Sequence, residues 1–153
     1  MANYYTLASL VAATKLSPKE QAWILNEIKI EDAILDVSEE TRDVWAKARG
    51  IPDADFGFGF RLSIVKNDTI GPYMWLSYDE NFNVENACAF LQHWLHTMRP
   101  DEAIGFEYTN TCSKPRPDGF GGGAVFVTKD DIKTTHSYSW LIEREKEHAE
   151  GKR

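Results

Sequence analysis

The sequence predicts an α+β domain: an antiparallel sheet of about four strands in a ββαββα arrangement, with helices packed on one face and a helical region at the N-terminus. Three observations carry this expectation. Phe56, Phe58, Phe60, Leu62 and Ile64 alternate with Gly57, Gly59, Arg61, Ser63 and Val65, the period of a strand with one buried face. Val84, Ala87, Cys88, Leu91, Leu95 and Met98 recur at steps of three and four, as a helix lying on such a sheet requires. Ile104, Phe106 and Tyr108 then alternate again ahead of a second apolar run at 123–128, so two strand-strand-helix units follow one another. The two units share an arrangement and no residue-level identity, so no repeat is inferred.

Taken in order, Tyr4–Ala13 places Leu7, Leu10 and Val11 at helical spacing and reads as a helix. Ser17-Pro18-Lys19-Glu20 is a capping box with proline in the first turn, and it opens a helix that should bury Ala22, Trp23, Ile24 and Ile28. Ser38-Glu39-Glu40 opens another, burying Val44, Trp45 and Ala48, and Gly50-Ile51-Pro52 stops it. Residues 1–55 are thus expected to form a helical region packed on a core spanning 56–147. Within that core, turn chemistry at 66–69 joins the first strand to Tyr73–Tyr78, and Asn83 caps the long helix that Arg99-Pro100-Asp101 ends. The segment Thr128-Lys129-Asp130-Asp131 is expected to open a last helix that buries Tyr138, Leu141 and Ile142, with 148–153 a disordered charged tail. Asp130 and Asp131 read there as capping and dipole-complementing carboxylates, not as an acid-base pair.

Composition narrows the function. A chain of 153 residues with 42% hydrophobic and 12% aromatic residues fits one domain with a well-filled core. A formal charge of -7 disfavours direct binding to nucleic acid. No run reaches the roughly 18 to 20 apolar residues that cross a bilayer, and the first residues lack a basic n-region, so a cytoplasmic protein without membrane association is expected. Cys88 and Cys112 then read as reduced thiols.

The acids are unevenly placed. Residues 27–43 hold seven acids against two bases, and Glu31, Asp32, Asp36, Glu39, Glu40 and Asp43 form the candidate binding segment for a basic partner. A second candidate is the loop TCSKPRPDGFGGG at 111–123. Its glycines precede a strand, and no Gly-Lys-Ser/Thr ending follows, so neither nucleotide-binding pattern is met. Two prolines stiffen the backbone around Lys114 and Arg116, which would meet an anion or a carboxylate, and both cations would favour a thiolate at Cys112. Five tryptophans supply possible interface anchors, and Trp75 with Tyr73, on the face opposite Met74 and Leu76, is the candidate pair. His93 and His96 lie three apart on one helix, but two ligands are not a metal site. Neither a metal nor another cofactor is expected, and no catalytic residue stands out.

The run Thr111-Cys112-Ser113-Lys114-Pro115-Arg116, followed by Phe120-Gly121-Gly122-Gly123-Ala124-Val125-Phe126-Val127-Thr128, resembles a run in small uncharacterised proteins of phage and plasmid genomes. The resemblance covers roughly residues 100 to 145 and brings no assigned catalytic residues. It implies a mobile-element origin and, by association, an accessory or anti-defence protein that inhibits a host protein by direct binding. The expectation is therefore a small acidic binding protein rather than an enzyme, with a host protein of basic surface as partner. Two alternatives stand beside it: a small enzyme or anionic-ligand domain using the 111–123 loop, and a self-associating structural protein; a homodimer is compatible with the chain.

Overall fold

The structure is a computed structural model and describes residues 2–55 and 57–151. Its elements are β1 (Tyr4–Ala13), α1 (Pro18–Ala33), a short 3-10 turn (Ile34–Asp36), α2 (Glu39–Arg49), β2 (Arg61–Val65), β3 (Tyr73–Tyr78), α3 (Val84–Met98), β4 (Ile104–Cys112), β5 (Gly121–Val127), β6 (Ile132–His136) and α4 (Ser137–Gly151). The strands form one antiparallel sheet in the order β2-β3-β1-β4-β5-β6. The α+β class stands, with six strands among the described residues rather than four.

Two strands account for the difference. Tyr4–Ala13 is not a helix but one of the two central strands, pairing its first residues with β4 (Tyr4 with Cys112, Leu7 with Thr109) and its later ones with β3 (Ala8 with Tyr78, Leu10 with Leu76). Tyr4, Tyr5, Thr6 and Val11 favour a pleated surface, and hydrogen-bonding partners on both edges outweigh the helical spacing of three aliphatics. The N-terminal region is accordingly helical only after Leu16.

The second is β6. Thr128 accepts from the backbone N–H groups of Asp130 and Asp131 and donates its own N–H to the Asp131 carbonyl at 2.8 Å, so this hydroxyl closes a hairpin instead of capping a helix. Helix α4 starts only at Ser137, eight residues after the expected first turn, runs through the supposed tail to Gly151, and buries none of its residues. Tyr138 and Leu141, expected in the core, are exposed, and Ile142 is half-buried.

The expected strand from residue 56 is also shorter. Gly57 and Gly59 have φ of 72° and 74°, a backbone no strand adopts, and β2 begins only at Arg61. Phe58 and Phe60 still point inward, 5.0 Å apart and stacked, while Phe56 lies outside the described residues.

Helices α1 to α3 cover one face of the sheet. Ser17 closes its capping box as expected, with Glu20 N–H donating to its hydroxyl and Ser17 N–H donating to the Glu20 carboxylate. Glu20 also accepts from Arg99 Nε and Nη2, at 2.6 and 3.1 Å, which ties the start of α1 to the end of α3. Ile24 is fully buried, Trp23 and Ile28 partly so, and Ala22 is exposed. In α2 the buried pair is Trp45 and Ala46, while Val44 and Ala48 face solvent. Helix α3 follows its apolar stripe and adds Phe90 and Trp94, both wholly buried. Phe90 is the hub, with ring centroids 5.9 Å from Trp23, 5.1 Å from Phe58 and 5.6 Å from Phe60.

Truncating that hub removes contacts to three rings from a site that cannot collapse. Phe90→Ala is expected to cost about 3–5 kcal/mol, read as a lowered urea midpoint at unchanged slope.

Candidate functional site

The acidic segment divides into three parts with different fates. Glu27, buried on α1, receives Arg49 from α2 through both carboxylate oxygens at 2.7 and 2.9 Å. The same guanidinium donates to the Trp45 carbonyl and lies 5.2 Å over the Trp45 ring. This bidentate pair joins the two helices and is closed to a partner.

Glu31, one turn on, lines a cavity of about 580 Å³ together with Asp53, Gly57, Gly59, Tyr78, Glu80 and neighbouring asparagines. Burial, and then the neighbouring Asp32 charge, push the Glu31 carboxyl above its ordinary value. The cavity floor is fixed by Asn86, only 1% exposed, which donates to the carbonyls of Asp53 and Phe58 and accepts from Asp53 N–H. A side chain at Gly57 would place its Cβ 2.9 Å from the Glu31 carboxylate, so the glycine makes room for the acid as well as for the turn. Among the described residues no basic group is ion-paired with Glu31, Asp53 or Glu80.

Asp32, Asp36, Glu39, Glu40 and Asp43 are exposed and, among the described residues, also without ion pairs. Glu39, Glu40, Asp43, Val44 and Lys47 line a shallow groove of about 390 Å³ on α2. Val44 is 66% exposed, and Leu35, in the preceding 3-10 turn, 55%.

The 111–123 loop packs back on its own cysteine. Cys112 is half-buried at the end of β4, opposite Tyr4, and a Cβ on Gly119 would fall 2.5 Å from its own Cβ, so the loop folds back onto it. Among the described residues no histidine or carboxylate hydrogen-bonds Cys112. Lys114 and Arg116 are exposed, and a short turn, Arg116 N–H to the Lys114 carbonyl at 2.8 Å, holds the segment. Asp118 stands close enough to Tyr4 to add to the burial that raises its phenol pKa, so the loop mixes both signs of charge.

The glycines of this loop serve the sheet. Gly123 faces Tyr108 on β4 and His136 on β6 in one cross-strand row. With no side chain between them, the Tyr108 hydroxyl reaches His136 Nδ1 at 2.5 Å, whereas a Cβ at 123 would lie 2.6 Å from that hydroxyl and clash with the Thr135 carbonyl. Burial first and Cys88 second raise the Tyr108 pKa, and the hydrogen bond to His136 runs in the direction set by the imidazole tautomer.

This pair walls a cavity of about 510 Å³ between β6 and the first turns of α3, with Glu85, Cys88, Asn110, Ile132 and Thr134 also lining it. The Cys88 thiol is pushed up to about 11, by burial first and Glu85 second, and stays protonated. That excludes it as a ready nucleophile at neutral pH. His93 packs its ring 5.7 Å from Trp23, and burial lowers its pKa.

Tyr73 and Trp75 lie on the sheet face opposite the helices, half-buried, and the Trp75 indole N–H donates to Ser9 on β1 at 2.8 Å. Of the expected site residues the structure therefore groups Glu39, Glu40 and Asp43, sets Glu31 in a separate cavity, and leaves the loop and the Tyr73/Trp75 face apart. Asp53 and Glu80 escaped the sequence reading because nothing in their spacing links them to Glu31. Tyr108 and His136 escaped it because their meeting depends on strand register. The glycines flanking Phe58 were the one available sign of the first cavity. Comparison with protein-family models, with curated proteins and with solved structures finds no match to this chain.

Two outcomes follow from this geometry. A carboxyl whose folded pKa is raised contributes stability below its unfolded pKa and loses it as pH rises through the folded value. Glu31→Gln should therefore raise the melting temperature at pH 7, with the gain vanishing below the ordinary carboxylate range in melts taken between pH 3 and 8. Gly123→Ala should lower stability by about 1–3 kcal/mol through overpacking, while Gly151→Ala, with open space around its Cβ position, should leave the urea midpoint unchanged.

Proposed function

We propose that this protein is a protein-binding domain that docks onto a basic partner through α2 and the turn before it. The observation that supports this reading is the acidic groove on α2, in which Glu39, Glu40 and Asp43 have no ion-pair partner among the described residues and surround the exposed Val44. An aliphatic anchor within a charged rim is how a modest interface combines affinity with steering. Leu35 and Asp36, just ahead of the helix, extend the same chemistry. The Glu31 cavity adds a receptacle for a cationic side chain, because three carboxylates line it.

The phage-like run adds, by association alone, a host protein as the kind of partner. Inhibition would then follow from carboxylates occupying a cationic groove where a nucleic-acid phosphate would otherwise sit. The loop reading is weaker, since Lys114 and Arg116 share their surroundings with Asp118 and border no cavity described above.

Capture from bacterial lysate tests the assignment when wild type is compared with Glu39→Lys/Glu40→Lys and with Lys114→Ala/Arg116→Ala. The expected result is a partner retained by wild type and by the loop variant, lost from the charge-reversed variant, and weakened about tenfold or more between low and high salt. A partner held equally by the charge-reversed variant, or insensitive to salt, overturns it.

A further inference from the structure

The feature least explained by this chain alone is its C-terminal edge. Strand β6 ends the sheet, all five of its residues are exposed, and among the described residues its backbone pairs only with β5. An edge of this kind presents a row of unpaired N–H and C=O groups, which proteins ordinarily cover or blunt. Helix α4 follows without a linker, touches the sheet along β5 and β6, and among the described residues buries none of its own. Its apolar residues fall in the first two turns, next to β6, with Tyr138 72%, Trp140 54% and Leu141 52% exposed. An isolated helix of this length is marginal in water unless an apolar face is packed.

We propose that this edge is the dimer interface of the protein, in which β6 pairs antiparallel with β6 of a second copy about a two-fold axis at Thr134 and the two sheets become one. Several observations select a second copy as the occupant. Centring on Thr134 pairs the whole strand, sets Lys133 opposite Thr135 and Ile132 opposite His136, and brings no lysine directly against its own copy. Centring on Lys133 would oppose two like charges. In the Thr134 register each α4 begins beside the second copy's Ile132, which is itself exposed, so the apolar turns of the helix and the strand end cover one another.

Charge points to the same place. The chain carries -7 overall and would repel a copy of itself over much of its surface, yet residues 131–147 hold four acids and three bases and are close to balanced. The second copy's Ile132 would also lie over the mouth of the Tyr108/His136 cavity, whose wall includes Ile132, Thr134 and His136. This interface is separate from the α2 groove, and neither proposal depends on the other.

Light scattering coupled to size exclusion, at about 100 µM protein, tests the assignment. Wild type should run at twice the 17.4 kDa chain mass. Thr134→Lys and Thr134→Asp, each at an exposed position, should each run at the chain mass with an unchanged circular-dichroism spectrum, because each places two like charges on the axis. Mixing the two variants should restore a species of double mass. Leu141→Glu, on the helix and outside the strand, should independently shift wild type toward the monomer. A monomeric wild type, or a dimer that survives both Thr134 variants and Leu141→Glu, overturns the proposal. Monomeric single variants that stay monomeric when mixed overturn the Thr134 register.

Discussion

The double pairing of β1 is the constraint on which the remaining structure depends. Its first residues hydrogen-bond to β4 and its later ones to β3, so a single ten-residue strand joins the β2-β3 hairpin to the β4-β5-β6 meander. Without it the two meanders would share only the aromatic core beneath them. Because β1 takes both its partners from far along the sequence, residues 4–13 cannot pair until β3 and β4 are formed, and α1 and α2 have no sheet to lie on until those partners are in place. The side chains follow from this: Leu10 and Ala12 turn into the core, while Ser9 and Val11 face away from the helices beside Trp75.

Two arginine–glutamate pairs lock the helices onto that frame and, in doing so, decide which acids remain for a partner. Arg49 consumes Glu27, and Arg99 consumes Glu20 while also bonding the Thr14 carbonyl at the end of β1. Burying one partner of such a pair is tolerable only because the other fully satisfies it. The remaining carboxylates of the acidic segment then have no ion-pair partner among the described residues. The binding reading of the protein thus rests on an imbalance left over from its internal electrostatics, with Glu31 half-enclosed beside Asp53 and Glu80 and the α2 acids open to solvent.

The glycine-rich stretch shows the same dependence of site on frame. Gly123 is needed because β4, β5 and β6 bring Tyr108 and His136 to either side of it, and the tyrosine can cross only over a residue with no side chain. The glycines therefore answer to cross-strand packing and not to a phosphate. At the edge of this row the sheet ends on an exposed strand and an exposed helix, while α2 carries its exposed acids at a distance from that edge in sequence.

Some of this was decided locally and is legible in the residues. The Ser17 capping box, the Ser38 cap, the β2-β3 hairpin with its Asn67 turn, and the α3 stripe all arise from interactions within a few positions of one another, so spacing alone specifies them. The acidic bias of residues 27–43 is likewise a property of composition. What the sequence by itself could not determine are the features that require two distant segments to meet. Tyr4–Ala13 carries both helical spacing and strand-forming residues, and only partners on both edges choose between them. Thr128 would serve a helix cap or a hairpin equally well, and the pairing of 132–136 with β5 selects the hairpin. Glu27 and Glu31 look alike on the chain, separated by one helical turn, yet Arg49 neutralises one and the 57–59 turn encloses the other. Hydrogen-bond partners and charges that come from far along the chain have no local signature, which is why the tertiary structure alone assigned them.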